Sequence, residues 1–453
     1  MIHAFTALGR RMALDVGSGA VHALDALAYE AVKQWGTLPR EELGALLCVS
    51  FPKDEVEEAL AELEALARDG QLGADDACAD IQPPEPGVVK AMCLHAAHDC
   101  NLRCAYCFAG QGDYHGRDRS LMPAEVGMAA LDWLVKKSGA RRALEVDFFG
   151  GEPLMNMGAV RAVVAYGRSL EKTHRKKFKF TLTTNALGLT DGAIAFLNEE
   201  MDNVVLSIDG RREVHDRMRP APDGSGSYDR VLRGAWKLAE ARKQQRYYVR
   251  GTFTRHNLDF DSDVFSLADR GFEQISIEPV VAEDTAAYAL RPEDLPAILE
   301  TYERLASEYI RRRRMGKWFN FFHFMVDLSN GPCLRKRLMG CGAGNEYVAV
   351  TPAGDLYPCH QFVGREGFRM GSVLDESFNV DIQRQFAANH VLAKEACAGC
   401  WARFYCGGGC AANAHAKHGN IAAPYEMECE MERKRLECAL AIAAEEMEWE
   451  ARD

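Results

Sequence analysis

The sequence predicts an α/β protein: a partial (β/α)6 barrel of the TIM type, with a small winged-helix-like module before it and a cysteine-rich domain behind it. Three observations predict this. Six short apolar runs alternate with amphipathic helical patterns between about 88 and 315, a hairpin-and-helix pattern fills residues 1–85, and eight of the 15 cysteines fall between 333 and 429. At 453 residues the chain is long enough for two or three domains, at roughly 100–200 residues each. The expected divisions are 1–85, 88–315 and 316–453. The prolines of "IQPPEPG" (81–87) make the first linker, because paired prolines continue neither a helix nor a central strand.

In the first division "IHAFTA" and "RMALDV" alternate around "LGR", which predicts a β-hairpin. Three helical patterns follow. The first runs from Val21 to Trp35 behind Ser18, the second begins near Pro39, and the third is "KDEVEEALAELEALARDG", closed by Gly70 at the C′ position. A final short strand would complete a winged-helix-like module. Such modules commonly bind DNA, but the third helix carries Asp54, Glu55, Glu57, Glu58, Glu62 and Glu64 and would repel phosphates. A peptide partner, added as an extra strand along the edge of the small sheet, fits better.

In the second division the predicted strands are 88–97, 143–149, 177–184, 203–208, 247–254 and 274–280, separated by helical patterns. Six β/α units imply a parallel sheet, and such barrels carry chemistry at the C-terminal ends of their strands. The distinctive polar motifs fall there. They are the triplet Cys100, Cys104 and Cys107 after strand one, "GGEP" (150–153) after strand two, "TTN" ending at Asn185 after strand three, "SIDG" (207–210) after strand four, and Glu278 after strand six. Arg250 reaches the same mouth by strand position, and His95 and His98 read as strand-end residues. The third division is glycine-punctuated and closes on an acidic, alanine-rich helix from about Pro424.

The formal charge of −12, from 54 basic and 66 acidic residues, offers no general attraction to nucleic acid or anionic membranes. The basic stretches "HRKKFK" (174–179) and "RRRR" (311–314) read as solvated faces or helix ends. No run of about 18 apolar residues appears, so a soluble, cytoplasmic protein is expected, with neither nucleic acid nor membrane as a partner. Fifteen cysteines in a reducing compartment point to metal rather than disulfides. Cys48, Cys78, Cys93 and Cys438 are scattered and read as small buried hydrophobes.

A Cys-x3-Cys-x2-Cys loop can hold three irons of a four-iron cluster and leave the fourth without a protein ligand. Structural zinc takes four ligands in a closed tetrahedron, and no partner stands at the usual spacing near the triplet. With Tyr106 just before the last cysteine, this stretch resembles the radical S-adenosylmethionine enzymes. That resemblance implies that S-adenosylmethionine chelates the open iron. It also implies that Gly150, Gly151, Glu152 and Pro153 hold its methionine moiety, that Ser207 and Arg219 contact the cofactor, and that Asn185 faces it.

The later cysteines run Cys397-x2-Cys400-x5-Cys406-x3-Cys410-x18-Cys429, preceded by Cys341-x12-Gly354-x4-Cys359. Pairs at Cys-x2-Cys spacing also occur in zinc ribbons, yet eight interleaved cysteines beside a radical domain favour iron and sulfur. The pattern resembles the SPASM domain, which carries two auxiliary four-iron clusters in enzymes that act on peptides and proteins. By that resemblance Cys397, Cys400, Cys406 and Cys429 ligate the outer cluster. Cys341, Cys359 and Cys410 belong to the inner one, with Cys333 its fourth ligand or a displaceable one. Three [4Fe-4S] clusters and S-adenosylmethionine are therefore expected, with an external electron donor such as a ferredoxin or flavodoxin.

The three parts together, with "LDVGSGAVHALD" (14–25) and "GPCLRKRLMGCGAGNEYVAVTPAGDLYPCHQF" (331–362), resemble the maturases of SCIFF peptides, which are ribosomally made and rich in cysteine. This implies thioether formation between a cysteine sulfur and the α-carbon of an acceptor residue, with the N-terminal module gripping the precursor's leader. The anaerobic sulfatase-maturating enzymes share the SPASM pattern but carry a catalytic aspartate where this chain has His360. His360 and Cys333 are accordingly the candidate catalytic residues.

Overall fold

The computed structural model describes residues 1–75, 85–114, 119–326, 328 and 338–450. The chain opens with strands β1 (Ile2–Ala7) and β2 (Arg10–Asp15), paired antiparallel with Ala7 opposite Arg10. Leu8 and Gly9 both take positive φ, 54° and 76°, the signature of a two-residue hairpin turn that matches strand twist. The next element corrects the expectation of a helix from Val21. Val21–Leu24 is a third strand, β3, paired with β2, because the alternating "VHAL" presents a β-branched residue and a half-buried face. Helix α1 (Ala26–Gln34) begins after it, and its cap is Asp25, whose carboxylate accepts the Ala28 amide at 2.7 Å. Ser18 instead closes a turn on Asp15.

Helices α2 (Arg40–Leu47) and α3 (Lys53–Arg68) follow. Gly70 ends α3 at φ 69°, with Gln71 N–H donating to the Leu66 carbonyl at 2.9 Å and Gly70 N–H to Ala67 at 3.1 Å, a Schellman closure. Residues 71–75 form no strand, so among the described residues all three strands precede the three helices. The small sheet lies between two apolar layers. Ala13 packs with Leu27, Val56 and Leu60 of the helices. Phe5, Met12 and Leu14, on the opposite face, pack with Val391, Cys397, Phe404 and Leu440 of the C-terminal division.

The six predicted barrel strands are present as β4 (Ala91–His98), β6 (Ala143–Gly150), β7 (Lys177–Thr184), β8 (Met201–Ser207), β9 (Tyr247–Phe253) and β10 (Gln274–Pro279). Each pairs in parallel with its neighbour in sequence, and β5 (Ser120–Leu121) caps the end of β4. Helices α4 (Ala124–Lys137), α5 (Met157–His174), α6 (Asp191–Glu200), α7 (Arg212–Met218), α8 (Tyr228–Ala241), α9 (Phe260–Ala268) and α10 (Leu295–Arg314) lie between and after them. Phe148, Phe178, Phe180 and Leu206 are among the buried residues of this core.

The sheet does not stop at residue 315. β11 (Asn320–Phe321) adds in parallel to β10, and β12 (Tyr347–Val350) adds in parallel to β4. β13 (Asp355–Tyr357) and β14 (Gly371–Ser372) continue antiparallel. The C-terminal division thus supplies both edges of an open sheet, and its Cys410 lines the same cavity as the triplet. Its last helix, Glu426–Glu450, packs on α10. The "RRRR" stretch ends α10 in ion pairs: Arg311 and Arg312 with Glu308, Arg313 with Glu446, Arg314 with Glu445. No helix among the described residues is long and apolar enough to cross a membrane. Cys93 and Cys438 are buried as expected, whereas Cys48, at the end of α2, is exposed; Cys78 and Cys333 lie outside the described residues.

Candidate functional site

The triplet occupies the loop that leaves β4. Its backbone is pinned from outside: Arg103 N–H donates to the Pro220 carbonyl and Ala105 N–H to Met218, both at 2.8 Å. Cys100 Sγ accepts from Leu102 N–H at 3.4 Å and from Asn185 Nδ2 at 3.7 Å, and Asn185 also bonds the Asn101 side chain at 2.7 Å. The three thiols share one cavity wall, and among the described residues no three His, Cys, Asp or Glu side chains converge at single-ion spacing. Burial pushes the Cys100 thiol up to about 12 and Cys104 to about 11, so loading metal here releases protons.

The GGEP turn is built against the same loop. Gly150 ends β6 at φ 120°, and a Cβ on it would overlap the Ala97 carbonyl oxygen; a Cβ on Gly151 would overlap that of Asp99. This close approach lets Gly151 N–H donate to Ala97 at 2.7 Å and Glu152 N–H to Asp99 at 2.9 Å, locking residues 97–99 immediately before Cys100. Glu152 is 1% exposed. Its carboxylate accepts from Thr184 Oγ1 at 2.7 Å, Asn185 N–H at 2.8 Å and Leu154 N–H at 3.0 Å, while burial raises its pKa to about 7. Pro153 opens the short 3-10 turn that follows, where its missing N–H is no loss.

Tyr106 and Arg219 meet at a residue that spacing alone did not single out. Asp209, fully buried, accepts from the Tyr106 hydroxyl at 2.6 Å and from Thr252 N–H at 2.9 Å, and ion-pairs with Arg219 Nε at 3.0 Å. The Arg219 guanidinium also lies 5.3 Å from the Tyr106 ring centroid. Ser207 is at the end of β8, on the cavity wall. The "SIDG" motif contained Asp209, and its place after a strand was the available signal.

Together these groups line a cavity of about 380 Å³ whose opposite wall comes from the C-terminal division: His360, Cys410, Glu428 and Arg435. His360 lies between Phe108 and Phe149, at ring distances of 5.1 and 5.0 Å, and burial lowers its pKa to about 4. Glu278, on β10, faces Arg250 at 3.7 Å and His323 Nε2 at 3.4 Å; Arg435 donates to His323 Nδ1 at 3.0 Å. His323, Glu428 and Arg435 were not identified from the sequence, because only tertiary packing carries them to the barrel mouth. His95 and His98 lie within β4, buried and bonded to each other at 2.9 Å.

The auxiliary cysteines form two groups. Cys359, 8% exposed, has Cys410 and Cys341 as its charged neighbours. Cys429 neighbours Cys397 and Cys400, and Cys406 neighbours Cys429. The first group reaches the cavity through Cys410, and the second lies behind it, against the N-terminal sheet.

The chain matches the model of the Radical SAM superfamily over residues 96–259 and that of the SPASM iron–sulfur cluster-binding domain over 341–401. It is 24% identical over 337 residues to the cysteine-type anaerobic sulfatase-maturating enzyme of Clostridium novyi, covering 70% of this chain and 86% of that one. It is 26% identical over 353 residues to the mycofactocin maturase MftC of Mycobacterium ulcerans, covering 73% and 86%. The solved structure of anSMEcpe with bound AdoMet and Kp18Cys peptide shares the fold at TM-score 0.63 and 21% identity, covering 79% of this chain and 99% of that one.

Proposed function

We propose that this chain, a radical S-adenosylmethionine enzyme with a SPASM domain, is a peptide maturase that installs thioether bonds in a cysteine-rich, ribosomally made precursor of the SCIFF type. One observation carries the reading: a single cavity joins the cysteine triplet to Cys410 and His360, so a peptide α-carbon and a cysteine side chain fit between two sulfur-rich walls. Cys100, Cys104 and Cys107 would hold the radical-generating cluster, Cys341, Cys359 and Cys410 the inner auxiliary cluster, and Cys397, Cys400, Cys406 and Cys429 the outer one. Within each group the thiols are near enough to feel one another's charge, and each group has enough donors for iron–sulfur ligation. Bound there, the clusters and S-adenosylmethionine supply one-electron chemistry and a 5′-deoxyadenosyl radical able to remove an α-hydrogen.

The chain's own residues then position the reactants. Gly150, Gly151, Glu152, Asn185, Ser207 and Arg219 line the cavity with the triplet and would hold the cofactor there. His360, held between two phenylalanine rings beside Cys359, accepts the thiol proton of the substrate cysteine. Forming C–S from C–H and S–H removes two hydrogens in all: the α-hydrogen atom would go to the adenosyl radical, the thiol proton to His360, and the remaining electron to an auxiliary cluster held by the C-terminal cysteines. Replacing His360 with glutamine is expected to lower crosslinking on the order of 100-fold, the usual scale of a lost general base, while cleavage of S-adenosylmethionine without peptide persists. Equal loss of both activities would contradict the assignment. Anaerobic reconstitution is expected to load about twelve irons per chain, four for each of three clusters, and stoichiometric zinc would contradict it.

The leader would add as a strand beside β3, which among the described residues pairs with β2 alone, in the strand-addition mode of peptide recognition. Hydrogen exchange on the full chain tests this: leader peptide should slow exchange at residues 21–24, and unchanged exchange there would rule it out. A second reading, oxidation of a substrate cysteine or serine to formylglycine, is favoured by the similarity to the sulfatase-maturating enzyme. It lacks the aspartate that such enzymes carry at the position of His360.

A further inference from the structure

Beside the outer group of thiols lies a buried lysine that, among the described residues, forms no ion pair with a carboxylate. Lys394 directly precedes the short helix Glu395–Ala398 that carries Cys397, and it is 4% exposed. Its Nζ donates to the Gly408 carbonyl at 2.7 Å, and among the described residues no carboxylate oxygen lies within ion-pairing distance of it. Its charge faces the sulfurs of Cys397, Cys406 and Cys429. Glu428, also nearby, bonds the Asn413 amide at 3.0 Å.

An ammonium held this deep without an anion is strongly unfavourable. The loop is shaped to hold it: Gly407, Gly408 and Gly409 have φ of 74°, 92° and 72°, a left-handed run open to glycine, and it turns the Gly408 carbonyl onto Lys394. On the outer side of the same group, Arg433 Nη1 lies 3.9 Å from Cys400 Sγ. Among the described residues, no cation is a charged neighbour of Cys359 or Cys410 in the inner group. Cys359 is flanked by Cys410 and Cys341, and Cys410 has the Glu428 carboxyl beside it.

We infer that Lys394 is the internal counter-ion of the outer auxiliary cluster and sets its reduction potential above that of the inner cluster. The inference rests on the reading of Cys397, Cys400, Cys406 and Cys429 as ligands of one cluster. Reduction adds a negative charge, and a fixed cation in a weakly polar interior stabilises that charge, one of the levers by which proteins tune such clusters. Four thiolates and their irons supply the anion that Lys394 otherwise lacks.

The test is an anaerobic redox titration of the reconstituted full chain, followed by electron paramagnetic resonance, with iron counted in every sample. In Lys394→Gln the oxidised-to-reduced ratio of the outer cluster at a fixed poise is expected to rise about tenfold, about 59 mV for one electron. The inner and triplet clusters stay unmoved, and Lys394→Arg titrates like the parent. Loss of about four irons in the glutamine variant alone would also support a counter-ion, since the retained charge would then be what holds the cluster. An unmoved outer midpoint with full iron, or equal iron loss in both variants, would overturn it. A parent protein that never holds the outer cluster's iron would refute the ligand assignment itself.

Discussion

Gly151→Ala is expected to lower reductive cleavage of S-adenosylmethionine on the order of 100-fold, the scale of a roughly 1 Å misplacement of reacting groups. The added Cβ would land on the Asp99 carbonyl oxygen and carbon, which are backbone and cannot rotate away. Relief must come from parting β6 from residues 97–99, and the next residue is Cys100. Gly158→Ala, on α5 with open space at its Cβ position, is the control and should cleave at the parental rate. Full activity in Gly151→Ala would show that the close backbone approach is dispensable.

Asp209→Ala is expected to destabilise the fold by about 3–5 kcal/mol, the usual range when one partner of a buried ion pair is removed. Arg219 would be left buried without its carboxylate, and the Tyr106 hydroxyl and Thr252 amide would lose their acceptor. Tyr106 lies between Cys104 and Cys107, so the triplet loop loosens as well, and iron retention in that loop should fall with stability. Denaturant unfolding of the apoprotein measures the first effect independently of metal. A change below about 1 kcal/mol, the level of an exposed pair, would contradict the central place given to Asp209.

Much of this arrangement was legible in the sequence because it is local. The strands at 177–184 and 247–254 alternate cleanly, and the triplet, GGEP and Gly70 each state their backbone requirement within a few residues. Val21–Leu24 misled for the same reason in reverse: four residues before a capped helix fit the start of that helix as well as a strand, and only pairing with β2 decides. The far wall of the cavity had no local signal. Glu428 and Arg435 belong to a helix legible in the sequence only as acidic and alanine-rich, and they matter because the C-terminal division adds strands to both edges of the barrel sheet.

The N-terminal sheet is the clearest long-range case. His3 stacks on Trp401 at 3.8 Å and bonds Glu437 at 3.1 Å, partners about 400 residues away. Deleting residues 1–85 would therefore do more than remove a leader-binding surface. It would uncover the apolar layer around Cys397 and Phe404, next to the outer group of thiols.

The central claim, thioether formation on a cysteine-rich peptide, is tested most directly by mass spectrometry of that peptide after reaction and alkylation. The account predicts a product lighter by two hydrogens for each bond formed, with one cysteine per bond refractory to alkylation and fragments linked from that sulfur to an acceptor α-carbon. A product in which every remaining thiol alkylates, or one in which a cysteine has become an aldehyde, would contradict it and place the chain with the formylglycine-forming enzymes.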